Sequence, residues 1–204
     1  MTSKVSEAAD ALMDVDAAAR EAVLPYRESA AVDALAWYSE LGDQPQMRML
    51  CGGLFAAGFL RGDGRMMRAG ARMLAAHTLA TMAKNFVKRR IDRTRPRNAE
   101  GEHGHKIKPG RNTSKEETSF PSGHSAGAIA VAQAFSREFP EYGVPAFAGA
   151  GLIALAQIPR CAHYPTDVGA GLAIGSAAEV AVDAAFRSVF KFDTSPPEAI
   201  QQPG

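Results

Sequence analysis

Five apolar runs, at residues 47–60, 69–87, 122–135, 144–158 and 168–190, are separated by glycine, proline and charge punctuation such as RGDG, EFPEYG and HYPTD. Runs of that length exceed ordinary strands, and their apolar residues recur at helical spacing. Alternating Val/Ile/Thr/aromatic stretches of useful length do not occur, nor does an internal repeat or a low-complexity tract. The pattern predicts an all-α fold, a helical bundle of five to six core helices. With 204 residues, 46% of them hydrophobic and 22% charged, the chain can fill one core and has no need of a second. The expected organisation is an amphipathic helical segment at 1–46, the core at 47–190 and a flexible tail at 191–204.

Whether such a bundle sits in a membrane is not decided by hydropathy. Arg72, His77, Lys84, Glu179 and Asp183 interrupt the runs, and the mean hydropathy of −0.15 is low for a polytopic protein. The N-terminal stretch carries scattered acidic residues and no apolar h-region, so it does not read as a cleavable signal peptide and any membrane address lies further in. The formal net charge of +1 gives no general reason to expect a nucleic acid partner. Cys51 and Cys161 lack metal-type spacing and are expected as small buried residues.

Three polar stretches carry chemistry. In PSGH, Ser122 is a natural N-cap and Gly123 lets backbone approach closely, so the helix start offers N–H groups and a positive dipole end to an anion such as phosphate. His124, in the first turn, is placed to protonate a leaving oxygen. Upstream, in KRRIDRTRPR, Lys88 precedes Arg95-Pro96 by seven positions, and both cations suit phosphate oxygens. The extra charges on Arg89, Arg90, Arg93 and Arg97 read as a solvated basic helix end, some of them near acidic lipid headgroups. Downstream, in RCAHYPTDVGAG, Pro165 suits the first position of a helix, which sets His163 just outside it and Asp167 in its first turn. A histidine oriented by that carboxylate presents its other nitrogen as a nucleophile. Taken singly, each stretch has a plainer reading as a cap, a helix end or a loop histidine.

Taken in order, Lys88-x6-Arg95-Pro96, Pro121-Ser122-Gly123-His124 and Arg160…His163-x3-Asp167 resemble the three signature motifs of the type 2 phosphatidic acid phosphatase (PAP2) superfamily, which includes bacterial acid phosphatases and vanadium haloperoxidases. The resemblance implies that His163 attacks phosphorus to form a phosphohistidine, that Asp167 orients it, and that His124 protonates the leaving alkoxide and then helps activate water. It implies that Lys88, Arg95, Ser122, Gly123 and an arginine of the third motif hold the non-bridging oxygens, with no metal and no cofactor required. His103 and His105 in GEHGHK lack cysteine or clustered carboxylate partners and are read as loop residues.

One position departs from the family. The third-motif arginine usually stands six residues before the nucleophile, where this chain has Gln157; Arg160 lies only three before His163. Either Arg160 reaches the phosphate, or the site lacks a ligand and is weak or inactive. The expected function is hydrolysis of a lipid phosphate or diphosphate of the phosphatidate, phosphatidylglycerol phosphate or prenyl diphosphate type. The alternatives are a lipid-phosphate-binding protein on the same scaffold, a soluble acid phosphatase and, less well supported, a haloperoxidase. If the five runs span, all three motifs fall on one face, while Arg61, Arg65, Arg68, Arg137, Arg187 and Lys191 fall on the other. That arrangement predicts a bacterial inner-membrane protein with its active face toward the periplasm or exterior. Oligomeric state is left open by the sequence.

Overall fold

The computed structural model of the chain describes residues 2–99, 107–114 and 116–190. The histidine pair at 103 and 105, Lys191 and the tail at 191–204 lie outside the described residues. Seven α-helices occur among them: α1 (Thr2–Val23), α2 (Ala30–Ser39), α3 (Gln44–Arg61), α4 (Gly64–Lys88), α5 (Gly123–Glu138), α6 (Gly143–Leu155) and α7 (Pro165–Phe190). The five apolar runs become α3 to α7. Two three-residue strands, β1 (Ile91–Arg93) and β2 (Ile107–Pro109), pair antiparallel beyond the end of α4. They are too short to show as an alternating pattern in sequence.

Local chemistry sets the helix limits. Gly62 closes α3 with φ 67, a left-handed conformation that suits a residue without Cβ, and the next residue caps α4, its Asp63 carboxylate accepting from the N–H groups of Arg65 and Met66. Ser122 caps α5 through its hydroxyl, which accepts from Ser125 N–H, and Pro165 opens α7.

The centre of the bundle is α5, packed against α4, α6 and α7. Small side chains make the close approach possible: Ala69, Ala76 and Ala80 of α4 meet Ala130 and Ala134 of α5 in one buried cluster. A Cβ on Gly175 would stand 2.2 Å from the Ala126 carbonyl oxygen, and one on Gly171 2.5 Å from that of Ser122, so α7 rests directly on the backbone of α5.

The polar residues that interrupt the apolar runs face inward. His77 and Glu179 are 1% and 2% exposed, and Lys84 and Asp183 are also buried. Arg72 joins Glu138 and Asp183, and Arg137 grips Glu179 through two hydrogen bonds of 2.9 and 3.2 Å. The outer faces are apolar, with Phe55, Phe59 and Leu60 on α3, Leu74, Leu79, Met82 and Phe86 on α4, and Phe147, Leu152 and Leu155 on α6 exposed. By length and composition one described helix is apolar enough to cross a membrane: residues Pro165–Val189 of α7, mean hydropathy 1.4.

Candidate active site

The end of α4 and the starts of α5 and α7 meet at one end of the bundle, which brings the three motifs together. Lys88 is the last residue of α4. Arg95 follows β1 and donates through Nη1 to the carbonyl of Ala162 at 3.1 Å, beside the third motif. Ser122 N–H donates to the Asp167 carbonyl at 3.0 Å, and Arg97 N–H to that of Cys161 at 3.1 Å, so each stretch is bonded to another through its backbone. Cys161 takes a left-handed φ of 51, and the Gln157 carbonyl accepts from the N–H groups of Ala162 and His163. These bonds fold the loop tightly enough to turn His163 into the bundle.

His163 is 3% exposed, with Nδ1 3.7 Å from the Asp167 carboxylate. That separation is too long for a hydrogen bond. Asp167 therefore acts on the imidazole as a charge here, and its oxygens are engaged elsewhere: Oδ1 accepts from Arg93 Nη1 at 2.6 Å, and Oδ2 from the Ser119 hydroxyl and from Tyr164 N–H at 2.9 Å. Burial, the largest cause, pushes the His163 imidazole down to about 4; Asp167 pulls it up, while Arg95 and Lys88 push it further down. At neutral pH this leaves a buried neutral imidazole with a lone pair, beside two cations able to attract an anion. Those are the properties a nitrogen nucleophile toward phosphorus needs.

His124 lies across the site in the first turn of α5. Its Nε2 is 2.9 Å from Oδ1 of Asp43, the residue that precedes α3, and a Cβ on the adjacent Gly42 would stand 3.0 Å from the His124 ring. The α2–α3 turn thus closes over this histidine. Arg160 donates to the Ser39 hydroxyl at the end of α2, and both Arg160 and Arg95 are close enough to act on the charge of His124. Gln157 is buried just past the end of α6, and its amide Nε2 donates to the Ile153 carbonyl of that helix at 3.0 Å. Its side chain is spent on the last turn of α6.

A match to the family model described as "PAP2 superfamily" runs over residues 69–189. The chain belongs to the PAP2 superfamily. Two relatives of known name, lipid A 1-phosphatases of Rhizobium johnstonii and Rhizobium etli, are each 36% identical over 107 and 106 residues, 52% of this chain. The matched stretch spans 43% and 45% of those relatives' own lengths. Among solved structures, the transmembrane PAP2-type phosphatidylglycerolphosphate phosphatase of Bacillus subtilis superposes with a TM-score of 0.63 at 19% identity, covering 88% of each chain. LpxE of Aquifex aeolicus gives 0.55 at 20% identity, covering 80% of this chain and 91% of its own. These two structural likenesses bear out the helical-bundle fold.

The candidate site has parts that the sequence did not announce. Arg93, expected as a solvated charge, is 1% exposed. Its guanidinium lies over the Tyr164 ring at 4.3 Å, and its Nη2 donates to Asp16 of α1 at 2.5 Å while Nη1 holds Asp167. Asp16 in turn accepts from Thr166 N–H at 3.0 Å and from the Thr166 hydroxyl. A basic run at a helix end reads as solvated unless a buried acidic partner is known, and Asp16 is 77 residues away in sequence. Asp43 and Ser119 were missed for the same reason: neither lies in a recognisable pattern, and only the tertiary fold brings Asp43 to His124 and Ser119 to Asp167.

Proposed function

We propose that this chain is a membrane-bound phosphatase that hydrolyses a lipid phosphate or diphosphate through a phosphohistidine on His163. The observation that carries the reading is the convergence of a neutral buried histidine, a second histidine and the cations Lys88 and Arg95 at one end of an apolar-faced bundle. Binding alone needs neither a nucleophile nor an acid.

In the first step the lone pair of His163 attacks phosphorus, the bond from phosphorus to the leaving oxygen breaks, and that oxygen takes a proton from His124. In the second, His124 accepts a proton from water, the resulting hydroxide attacks the phosphohistidine, and inorganic phosphate leaves with His163 restored. Lys88, Arg95 and Arg160, with the Ser122 hydroxyl and the Gly123 N–H, hold the non-bridging oxygens where charge develops. Asp167 stabilises the positive charge that His163 acquires. The names of the Rhizobium relatives and of the Bacillus subtilis structure support a phosphorylated lipid as substrate.

Membrane embedding is supported by the inside-out distribution of polarity, since Glu179, Asp183, Arg72 and His77 turn inward while Phe and Leu face out. The end opposite the site holds Arg65, Arg68, Arg137 and Arg187, paired with Glu141, Glu138, Glu179 and Asp183. Under the positive-inside rule, arginines on that end favour the cytoplasm for it and the opposite side for the histidines.

The test is phosphate release from a phosphatidate and a prenyl diphosphate by purified protein in excess chelator, with His163→Ala alongside, after an alkaline wash of the membrane pellet. Wild-type release that His163→Ala lacks, from protein retained in the pellet, is the expected result. A stable wild type that binds the lipid and releases nothing would favour lipid-phosphate binding, the role to which the absence of charge at Gln157 points. Release of the protein as a soluble monomer would remove the membrane claim.

A further inference from the structure

Lys84 lies one helical turn before Lys88, on the same face of α4. It is 7% exposed, and neither lysine has a hydrogen bond or an ion pair with any described residue. Like charges at this spacing repel, and a buried ammonium without a counter-charge is unfavourable unless an anion completes it. The direction of the side chain shows where that anion would sit. Nζ of Lys84 is 3.5 Å from the point where a Cβ on Gly123 would stand, and its Cδ and Cε are 3.5 and 3.7 Å from it. The ammonium therefore rests against the first helical residue of α5, whose backbone is among the groups assigned above to the phosphate.

The opposite wall of the site lacks the arginine of the family pattern, and the Arg160 guanidinium there donates to the Ser39 hydroxyl. Gln157, where the family pattern has arginine, is buried and spends its amide on the Ile153 carbonyl. The pattern of a missing cation on one side and an unpaired buried cation on the other is what a relocated phosphate ligand would leave.

We propose that Lys84 is a phosphate-binding residue, supplying from α4 the positive charge that Gln157 does not supply from the third motif. It holds a non-bridging oxygen on the Gly123 side, while Lys88 and Arg95 hold the others. This rests on the phosphatase reading for its substrate, but the anion site itself is open to direct measurement. If the Lys84 stem merely packs against Gly123, its charge is dispensable.

The experiment uses the full chain in detergent micelles, as wild type, Lys84→Gln, Lys84→Met and Lys84→Arg, with binding of inorganic orthovanadate followed by thermal shift and calorimetry. Turnover of a short-chain phosphatidate is measured in parallel. Loss of the charge should weaken vanadate about tenfold and lower kcat/KM about a hundredfold, whereas Lys84→Arg should stay within about tenfold of wild type in both. A folded Lys84→Gln or Lys84→Met with wild-type vanadate affinity overturns the proposal, as does a wild type that binds no vanadate. Should both neutral variants fail to fold, Lys84→Arg decides: retained vanadate binding supports the proposal, and its loss in a folded protein counts against it. A wild type that binds vanadate through Lys84 yet turns over no lipid keeps this site and refutes the phosphatase reading.

Discussion

Replacing Arg93 with methionine removes a guanidinium that bridges two buried carboxylates. The Arg93 side chain is 2% exposed, those of Asp16 and Asp167 1% and 0%, and the ion-pair distances are 2.5 and 2.6 Å. Removing one member of a buried pair commonly costs about 3–5 kcal/mol, because the remaining charge stays desolvated. Here two carboxylates are left, and the contact over Tyr164 at 4.3 Å, of a kind that contributes about 1–2 kcal/mol, is lost as well. A loss of about 5 kcal/mol is expected, a large fraction of a typical domain's stability of about 5–15 kcal/mol. Asp16→Asn keeps the volume and an acceptor for Thr166 N–H and leaves Arg93 on Asp167, so it should cost only about 1–3 kcal/mol. The double variant should cost less than the sum, with a coupling of about 2 kcal/mol or more. Denaturant unfolding in mixed micelles measures all three. Simple additivity, or an Arg93→Met variant within about 1 kcal/mol of wild type, would refute the reasoning that this network holds Asp167 in place.

Three further outcomes are expected. Because His163 is held near 4 in the folded chain, below the ordinary 6.5, the unfolded chain takes up the proton first as pH falls. Wild type should therefore lose about 3 kcal/mol relative to His163→Gln between pH 6.5 and about 4, with no such divergence above 6.5; parallel unfolding curves across that range would contradict it. Gly175→Ala forces a Cβ to 2.2 Å from the Ala126 carbonyl and should destabilise by about 1–3 kcal/mol, whereas Gly151→Ala, which meets nothing within 4 Å, should be neutral or slightly stabilising. If Arg160 contacts phosphate, Arg160→Ala should lower kcat/KM about a hundredfold while Gln157→Arg helps little; a gain of turnover in Gln157→Arg would show instead that the natural site lacks a ligand.

The helices were legible because their limits are written locally. Gly62-Asp63, Ser122 and Pro165 act through their own backbone geometry or hydroxyl and carboxylate groups, with no need of distant residues. The pairing of His163 with Asp167 was legible as a spacing, though the gap of 3.7 Å shows that spacing does not fix contact. What stayed hidden depends on the chain's return from far away. Asp16, in the segment set apart as 1–46, reaches Arg93 and Thr166; Asp43 reaches His124; Ser39 receives Arg160. The interrupting charges of the apolar runs argued against membrane spans by composition, and only the packing shows that they turn inward.

The central claim is the covalent intermediate on His163. Wild-type protein mixed with a phosphate-labelled lipid substrate, quenched within a turnover and digested, should yield an acid-labile, base-stable phosphopeptide carrying His163. The same peptide should be absent from His163→Ala and should accumulate in His124→Ala if water attack is slowed. Phosphate release at the wild-type rate by folded His163→Ala, or label found on a residue other than His163, would contradict the account.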